Sequence, residues 1–111
     1  MRRIVVFKRY FLDFYEELEE KAQEKIDYAL MLLKKESRLS NRFVKRISGS
    51  IYELRAIYKN KHYRIFFIFD EGNIVVLFHG FLKKTRKTPM EELEKVKRIK
   101  REYDEQKNGN Q

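Results

Sequence analysis

Two arginines stand inside runs that are otherwise apolar and aromatic: Arg55 in IYELRAIY (51–58) and Arg64 in HYRIFFIF (62–69). Burying an arginine among such residues is costly unless its guanidinium reaches solvent or a partner. Read as strands, the runs alternate faces. Glu53, Arg55 and Ile57 then share one face of the first run, and His62, Arg64, Phe66 and Ile68 share one face of the second. An ion pair with Glu53 or a neighbouring carboxylate would account for Arg55, and an edge position would account for Arg64. Neither explains Lys83, Lys84, Arg86 and Lys87, which follow a third apolar run, IVVLFHGF (74–81). If the three runs lie antiparallel, these cations converge on one surface.

Converging cations suit one chemistry in particular. RNA carries its own nucleophile, the ribose 2′-OH. A protein need only position it, take its proton, neutralise the charge growing on phosphorus and protonate the leaving 5′-oxygen. Fixed guanidinium and ammonium groups supply the electrostatic part, and a lysine whose pKa is lowered by neighbouring cations can serve as base. Other chemistries lack residues. There are two histidines, His62 and His79, and no cysteine, and the four glycines (49, 72, 80, 109) are scattered. No metal-ligand set, phosphate-cradling loop or nucleophilic triad is therefore expected, and no cofactor. The same surface would equally serve RNA binding without cleavage.

The net charge of +9 is unevenly spread. Residues 38–64 carry eight basic side chains against one acidic, and residues 83–103 carry nine against four, whereas residues 1–37 balance at eight each. Two basic blocks flanking a neutral apolar middle point to a polyanionic partner. The 111 residues suit one domain, 1–111. Absence of cysteine fits a reducing, cytoplasmic setting. The N-terminal apolar run, Ile4 to Phe7, is too short for a signal core, and no run approaches a membrane span.

The elements that must place these cations follow from periodicity. IVVF (4–7) reads as a short buried strand. From Tyr10 to about Lys35, Phe11, Phe14, Leu18, Ala22, Ile26, Ala29, Leu30 and Leu33 recur at helical spacing, which predicts one amphipathic helix or two broken near EEKAQ. RFVKRI (42–47) is a candidate short strand. The three β-branched and aromatic runs are joined by the turn-like links KNK and DEGN. In the last segment Thr88 is placed to cap a helix, Pro89 to open it and Glu91 to complete a capping box. Leu93, Val96, Ile99 and Tyr103 then lie along its apolar side, and Asn108-Gly109 ends it. The expected class is α+β: a small antiparallel sheet packed against N-terminal helices, with a closing C-terminal helix.

Tyr52-Glu53-Leu54-Arg55, Tyr63-Arg64-Ile65, and His79-Gly80-Phe81 with Lys83, Lys84, Lys87, Thr88 and Pro89 form three ordered motifs. Over residues 51–103 they resemble the RelE/HigB superfamily of toxins, in its phage-derived HigB-like branch; FLDFYEEL is compatible with that family's first helix. The resemblance implies a microbial RNase-like fold and the toxin of a type II toxin–antitoxin system. It implies a ribosome-dependent, metal-independent endoribonuclease that cuts mRNA in the ribosomal A site, silenced by a cognate helix-turn-helix antitoxin. Arg55 and Arg64 match arginines at the scissile phosphate, and Lys84 falls where related toxins keep a cation. Lys83, Arg86 and Lys87, with Lys45, Arg46 and Lys61, would hold the RNA. RelE-type members carry a tyrosine shortly after the Lys84 position, and TRKTPMEEL has none. The general base is open between His79, for which a packed role is the alternative, and Lys84. Tyr103, a helix away, reads equally as a core residue. A non-catalytic RNA- or ribosome-binding module and a degenerate prophage toxin are the competing readings.

Overall fold

The structure, a computed structural model, describes residues 1–109. In chain order it comprises β1 (Arg3–Val6), α1 (Tyr10–Glu16), α2 (Glu20–Lys35), β2 (Val44–Ser48), β3 (Ile51–Tyr58), β4 (Lys61–Phe69), β5 (Ile74–Lys83) and α3 (Met90–Gly109). The α+β class is as expected. The N-terminal stripe is two helices, divided at the start of EEKAQ, where residues 17–19 lie between them.

The five strands form one sheet in the order β1-β5-β4-β3-β2. β2 to β5 are antiparallel neighbours joined by short turns. β1, by contrast, runs parallel to β5, with Val5 beside Val76, so the sheet is mixed rather than wholly antiparallel. The physical reason lies in the connection. β1 and β5 are far apart in sequence, and the intervening helices let β1 enter the sheet in either direction.

Both faces of the sheet are covered. Phe11, Ala22, Ile26, Ala29 and Leu33 of α1 and α2 pack on Leu54, Ala56, Tyr63, Ile65, Phe67, Val75 and Leu77. On the other face Val96 and Ile99 of α3 pack on Ile51, Phe66, Ile68, Val76, Phe78 and Phe81, beside Phe7. A strand covered on both sides reads as a continuous apolar run rather than an alternating one, which is why HYRIFFIF and IVVLFHGF lack a polar face. Each fully buried phenylalanine such as Phe66, Phe67 or Phe78 contributes about 1.5–3 kcal/mol.

The turns are built from residues that tolerate left-handed backbone. Lys59 and Asn60, at φ 49° and 64°, make the two-residue link from β3 to β4, the pattern that matches strand twist. α1 meets β5 at Gly80, where a Cβ would lie 2.5 Å from Cδ2 and 2.6 Å from Cε2 of the Phe14 ring. The glycine of the His-Gly-Phe motif is thus a seat for Phe14.

Two details depart from expectation. β5 continues to Lys83, so Lys83 belongs to the strand and not to the loop after it. The helix-capping role of Thr88 is also not realised: α3 begins at Met90, and the Pro89 carbonyl accepts from the N–H groups of Glu92 (3.0 Å) and Leu93 (3.2 Å). The Thr88 hydroxyl instead crosses to β3, donating to Glu53 Oε2 at 3.0 Å.

Candidate functional site

Cross-strand register decides which cations meet. Lys45 of β2 stands opposite Glu53, Arg55 opposite Arg64, and Arg64 opposite Phe81, with His62 opposite Lys83. Strand alternation puts Lys45, Glu53, Arg55, His62, Arg64 and Lys83 on the α3 face of the sheet, at the end that α3 leaves uncovered. β4 is the central strand, so Arg64 is not an edge residue; it is 6% exposed.

Its partner is Glu53, which is fully buried at 0% exposure. Glu53 Oε1 lies 3.3 Å from Arg64 Nε and 3.4 Å from Arg55 Nε, while Oε2 accepts the Thr88 hydroxyl. The Arg64 Nε–H is not aimed along that line, so the contact is an electrostatic pair more than a directed hydrogen bond. Arg64 Nη1 donates to its neighbour's carbonyl, Tyr63 O, at 3.2 Å, and Arg55 Nη1 to Asn41 O at 3.3 Å. The carboxylate thus takes the inner edge of each guanidinium and leaves the outer ends turned away from it. Burial lowers the Arg64 pKa, Glu53 raises it and Arg55 lowers it further; a guanidinium remains charged at neutral pH regardless.

Beside this cluster lies an open cleft of about 530 Å³ lined by Lys61, His62, Arg64, Lys83, Lys84 and Arg86. Lys83 is the half-buried member. Burial lowers its pKa first, Arg64 next, with Arg55 and Lys45 adding to the effect and Glu53 opposing it. Four cations therefore surround one carboxylate, an excess that favours an anion in the cleft. The loop beyond β5 is folded by the Thr85 hydroxyl, which donates to Lys87 O at 2.7 Å. Lys87 itself does not line the cleft.

The remaining candidates lie elsewhere. Arg46 stands opposite Tyr52, on the other face from Lys45, and donates to Gly49 O at 2.7 Å, bracing the β2–β3 turn. His79 is 2% exposed between the rings of Phe66 and Phe81, centroids 5.1 and 6.4 Å away. Burial, then Lys95 and Arg98, push its pKa down to about 3. The ring is neutral at pH 7, and its Nε2–H donates to Glu92 Oε1 at 3.0 Å, tying β5 to α3. Tyr103 packs edge-on against Phe7 (5.2 Å) and Phe78 (5.9 Å) and donates its hydroxyl to Asp70 Oδ2. Burial and then Asp70 raise its pKa to about 12. Asp70 follows the far end of β4, six residues beyond Arg64, or roughly 20 Å at ~3.3 Å per residue. Neither His79 nor Tyr103 is brought to the cation cluster.

Two contributors were hard to find from sequence. Alternation put Glu53 beside Arg55, but nothing local shows one carboxylate serving Arg55, Arg64 and Thr88 together. Alternation grouped His62 with Arg64, but only the register with Lys83 shows that it lines the cleft. Among the described residues no group of three or more His, Cys, Asp or Glu side chains could hold a metal ion. No helix there is long and apolar enough to cross a membrane.

The site is thus that of a small α+β protein whose central strands carry a buried carboxylate beneath converging cations. The chain belongs to the family of phage derived protein Gp49-like (DUF891), whose model matches residues 13–101, a RelE-like toxin-type family. The match spans α2, every strand from β2 to β5 and most of α3, and so contains the whole cation cluster. No curated protein matches the chain in sequence.

Proposed function

We propose that the protein is the toxin of a type II toxin–antitoxin pair, of the HigB-like branch. In this reading it is a cytoplasmic, ribosome-dependent and metal-independent mRNA endonuclease, inhibited by a helix-turn-helix antitoxin. The observation that carries the reading is Arg64, held together with Arg55 by Glu53, in the wall of a cleft whose other cations are Lys61, Lys83, Lys84 and Arg86. Family membership supports the toxin class.

The residues divide the chemistry as follows. Arg55 and Arg64 bind the non-bridging oxygens of the scissile phosphate and stabilise the charge that grows there. The 2′-oxygen attacks phosphorus, the bond to the 5′-oxygen breaks, and a 2′,3′-cyclic phosphate is left. Lys83 accepts the 2′-OH proton in its neutral form, which burial and Arg64 make more accessible. Water protonates the departing 5′-oxygen. Lys61, Lys84 and Arg86 hold the flanking backbone. His79 and Tyr103 take no part, each being committed to its own structural partner.

The test is inducible expression in bacteria, with RNA ends mapped after induction, for wild type, Arg64→Lys and Lys83→Met. Wild type is expected to arrest growth and cut translated messages. Arg64→Lys is expected to lose roughly 10²–10³-fold in cleavage, the scale for weakening transition-state charge stabilisation, and Lys83→Met roughly 10²–10⁴-fold, the scale for losing a general base. A harmless wild type that leaves mRNA intact refutes the reading. Salt-sensitive RNA binding with no cleavage in a translating extract would instead identify a binding module.

A further inference from the structure

β2 begins at Val44, opposite Leu54, so no residue of β2 stands beside Ala56, Ile57 and Tyr58 of β3. The Arg55 N–H points to this edge and donates to Phe43 O at 2.8 Å. Residues two apart on an antiparallel strand direct their backbone groups the same way, so Ile57 turns its N–H and C=O into the gap beyond the start of β2.

That gap is a second cleft, of about 220 Å³, lined by Lys25, Tyr28, Arg42, Phe43, Arg55 and Ile57. Tyr28 is 53% exposed and Ile57 52%, so neither gives most of its surface to the cores on either side of the sheet. Exposed apolar and aromatic surface interleaved with three cations is the composition of a site where an unpaired base stacks while phosphate lies against positive charge. The volume is below the ~300–1,000 Å³ of whole small-molecule sites, which suits a single base. Arg55 also belongs to the Glu53 cluster, so the notch adjoins the proposed phosphate position.

We propose that this notch is a nucleotide subsite. It takes one unpaired base of the RNA strand flanking the phosphate held at Arg55 and Arg64. The base stacks on Tyr28, the neighbouring phosphate lies against Arg42 and Lys25, and the backbone of Ile57 meets the base edge. The inference rests on the reading of the cation face as an RNA site, and it makes the notch a source of sequence preference beside the cut.

The test is an NMR titration of the ¹⁵N-labelled full chain with a nucleoside 5′-monophosphate and with short single-stranded RNA. The amides of Ala29, Arg42 and Ile57 are expected to shift. Tyr28→Ala, at an exposed position, is expected to weaken that binding roughly 5- to 150-fold, the range for loss of one stacked base, and Arg42→Ala to weaken it as well. In cleaving extracts Tyr28→Ala should redistribute the cut positions. Unmoved amides, or unchanged affinity in both variants, overturn the subsite. So does an unaltered cut pattern from an active Tyr28→Ala enzyme, a result that leaves the nuclease reading intact. Nucleotide binding at the notch in a protein that never cleaves upholds the subsite and removes the nuclease. Loss of helix-turn-helix partner binding with RNA binding retained assigns the surface to a protein and overturns the proposal.

Discussion

Glu53 Oε1 lies 3.3 Å from Arg64 Nε, on adjacent strands and out of contact with solvent. The pair sits in the sheet interior, yet Arg64 still lines the cleft. A buried carboxylate that holds an arginine by its inner nitrogen fixes where the outer nitrogens point, so that stability and the geometry of the proposed phosphate site depend on the same atom.

Substitution of Glu53 should therefore separate the two roles. Glu53→Ala leaves buried guanidinium uncompensated and is expected to cost about 3–5 kcal/mol, measured by urea denaturation. Glu53→Gln keeps the shape and an oxygen for Thr88 but removes the charge that holds the arginines. It should fold with smaller loss while cleavage falls roughly 10²-fold, the scale expected when a reacting group is misplaced by about 1 Å. That loss should appear in kcat more than in KM. Unchanged kcat in Glu53→Gln would show that Arg64 is held by packing alone.

His79 makes stability pH-dependent. Its pKa falls from 6.5 unfolded to about 3 folded, through burial and then Lys95 and Arg98, with the Glu92 carboxylate also facing the ring. Above pH 6.5 neither state binds a proton and stability is unaffected. Below it the unfolded chain takes a proton that the folded chain refuses, so stability falls with acidification, by up to about 1.4 kcal/mol per pH unit. Between pH 6.5 and 5 this amounts to roughly 2 kcal/mol by the same relation. Chemical denaturation across that window should show the slope, and His79→Gln should flatten it. The cleavage activity of any His79 variant that folds should remain, since the ring does not reach the cluster.

Asp70 acts lower on the pH scale. Lys107 and Tyr103 hold its carboxyl down at about 2 against 3.8 unfolded. The stabilisation is present above pH 4 and is lost as pH falls through 2, an amount of at most about 2 kcal/mol. Asp70→Asn should lower the urea midpoint at pH 7 and remove the acid-limb slope below pH 4, leaving the His79 slope between 6.5 and 5 in place. A pH 7 midpoint equal to wild type would show that the Asp70–Tyr103–Lys107 tie contributes nothing to the α3 docking.

Gly80→Ala should destabilise by about 1–3 kcal/mol, the range for overpacking, because the new methyl meets the Phe14 ring at 2.5 Å. Phe14→Leu should relieve part of that cost in the double variant, giving a measurable coupling. Additive losses would mean that α1 shifts as a body to make room.

Local pattern specified much of this protein. The β-branched and aromatic runs placed β3 to β5 almost to the residue, because a strand's preference is carried by its own side chains and turns. The three-and-four spacing placed the helices, and alternation grouped Glu53 with Arg55 and His62 with Arg64. Even Arg55's pairing with Glu53 was legible, since the two are neighbours on one strand face.

Tertiary structure decided the rest. Register across β3, β4 and β5 set Arg55 against Arg64 and carried Lys83 to the same face, and no local window contains that register. The parallel entry of β1 and the covering of both faces depend on how helices pack, which periodicity cannot choose. Thr88 shows the reason most simply. Its type and position make it a helix cap, but a buried carboxylate 35 residues away in sequence competed for the hydroxyl and took it. A side chain's local options follow from its neighbours in the chain; which option is used depends on charges that only folding brings within reach.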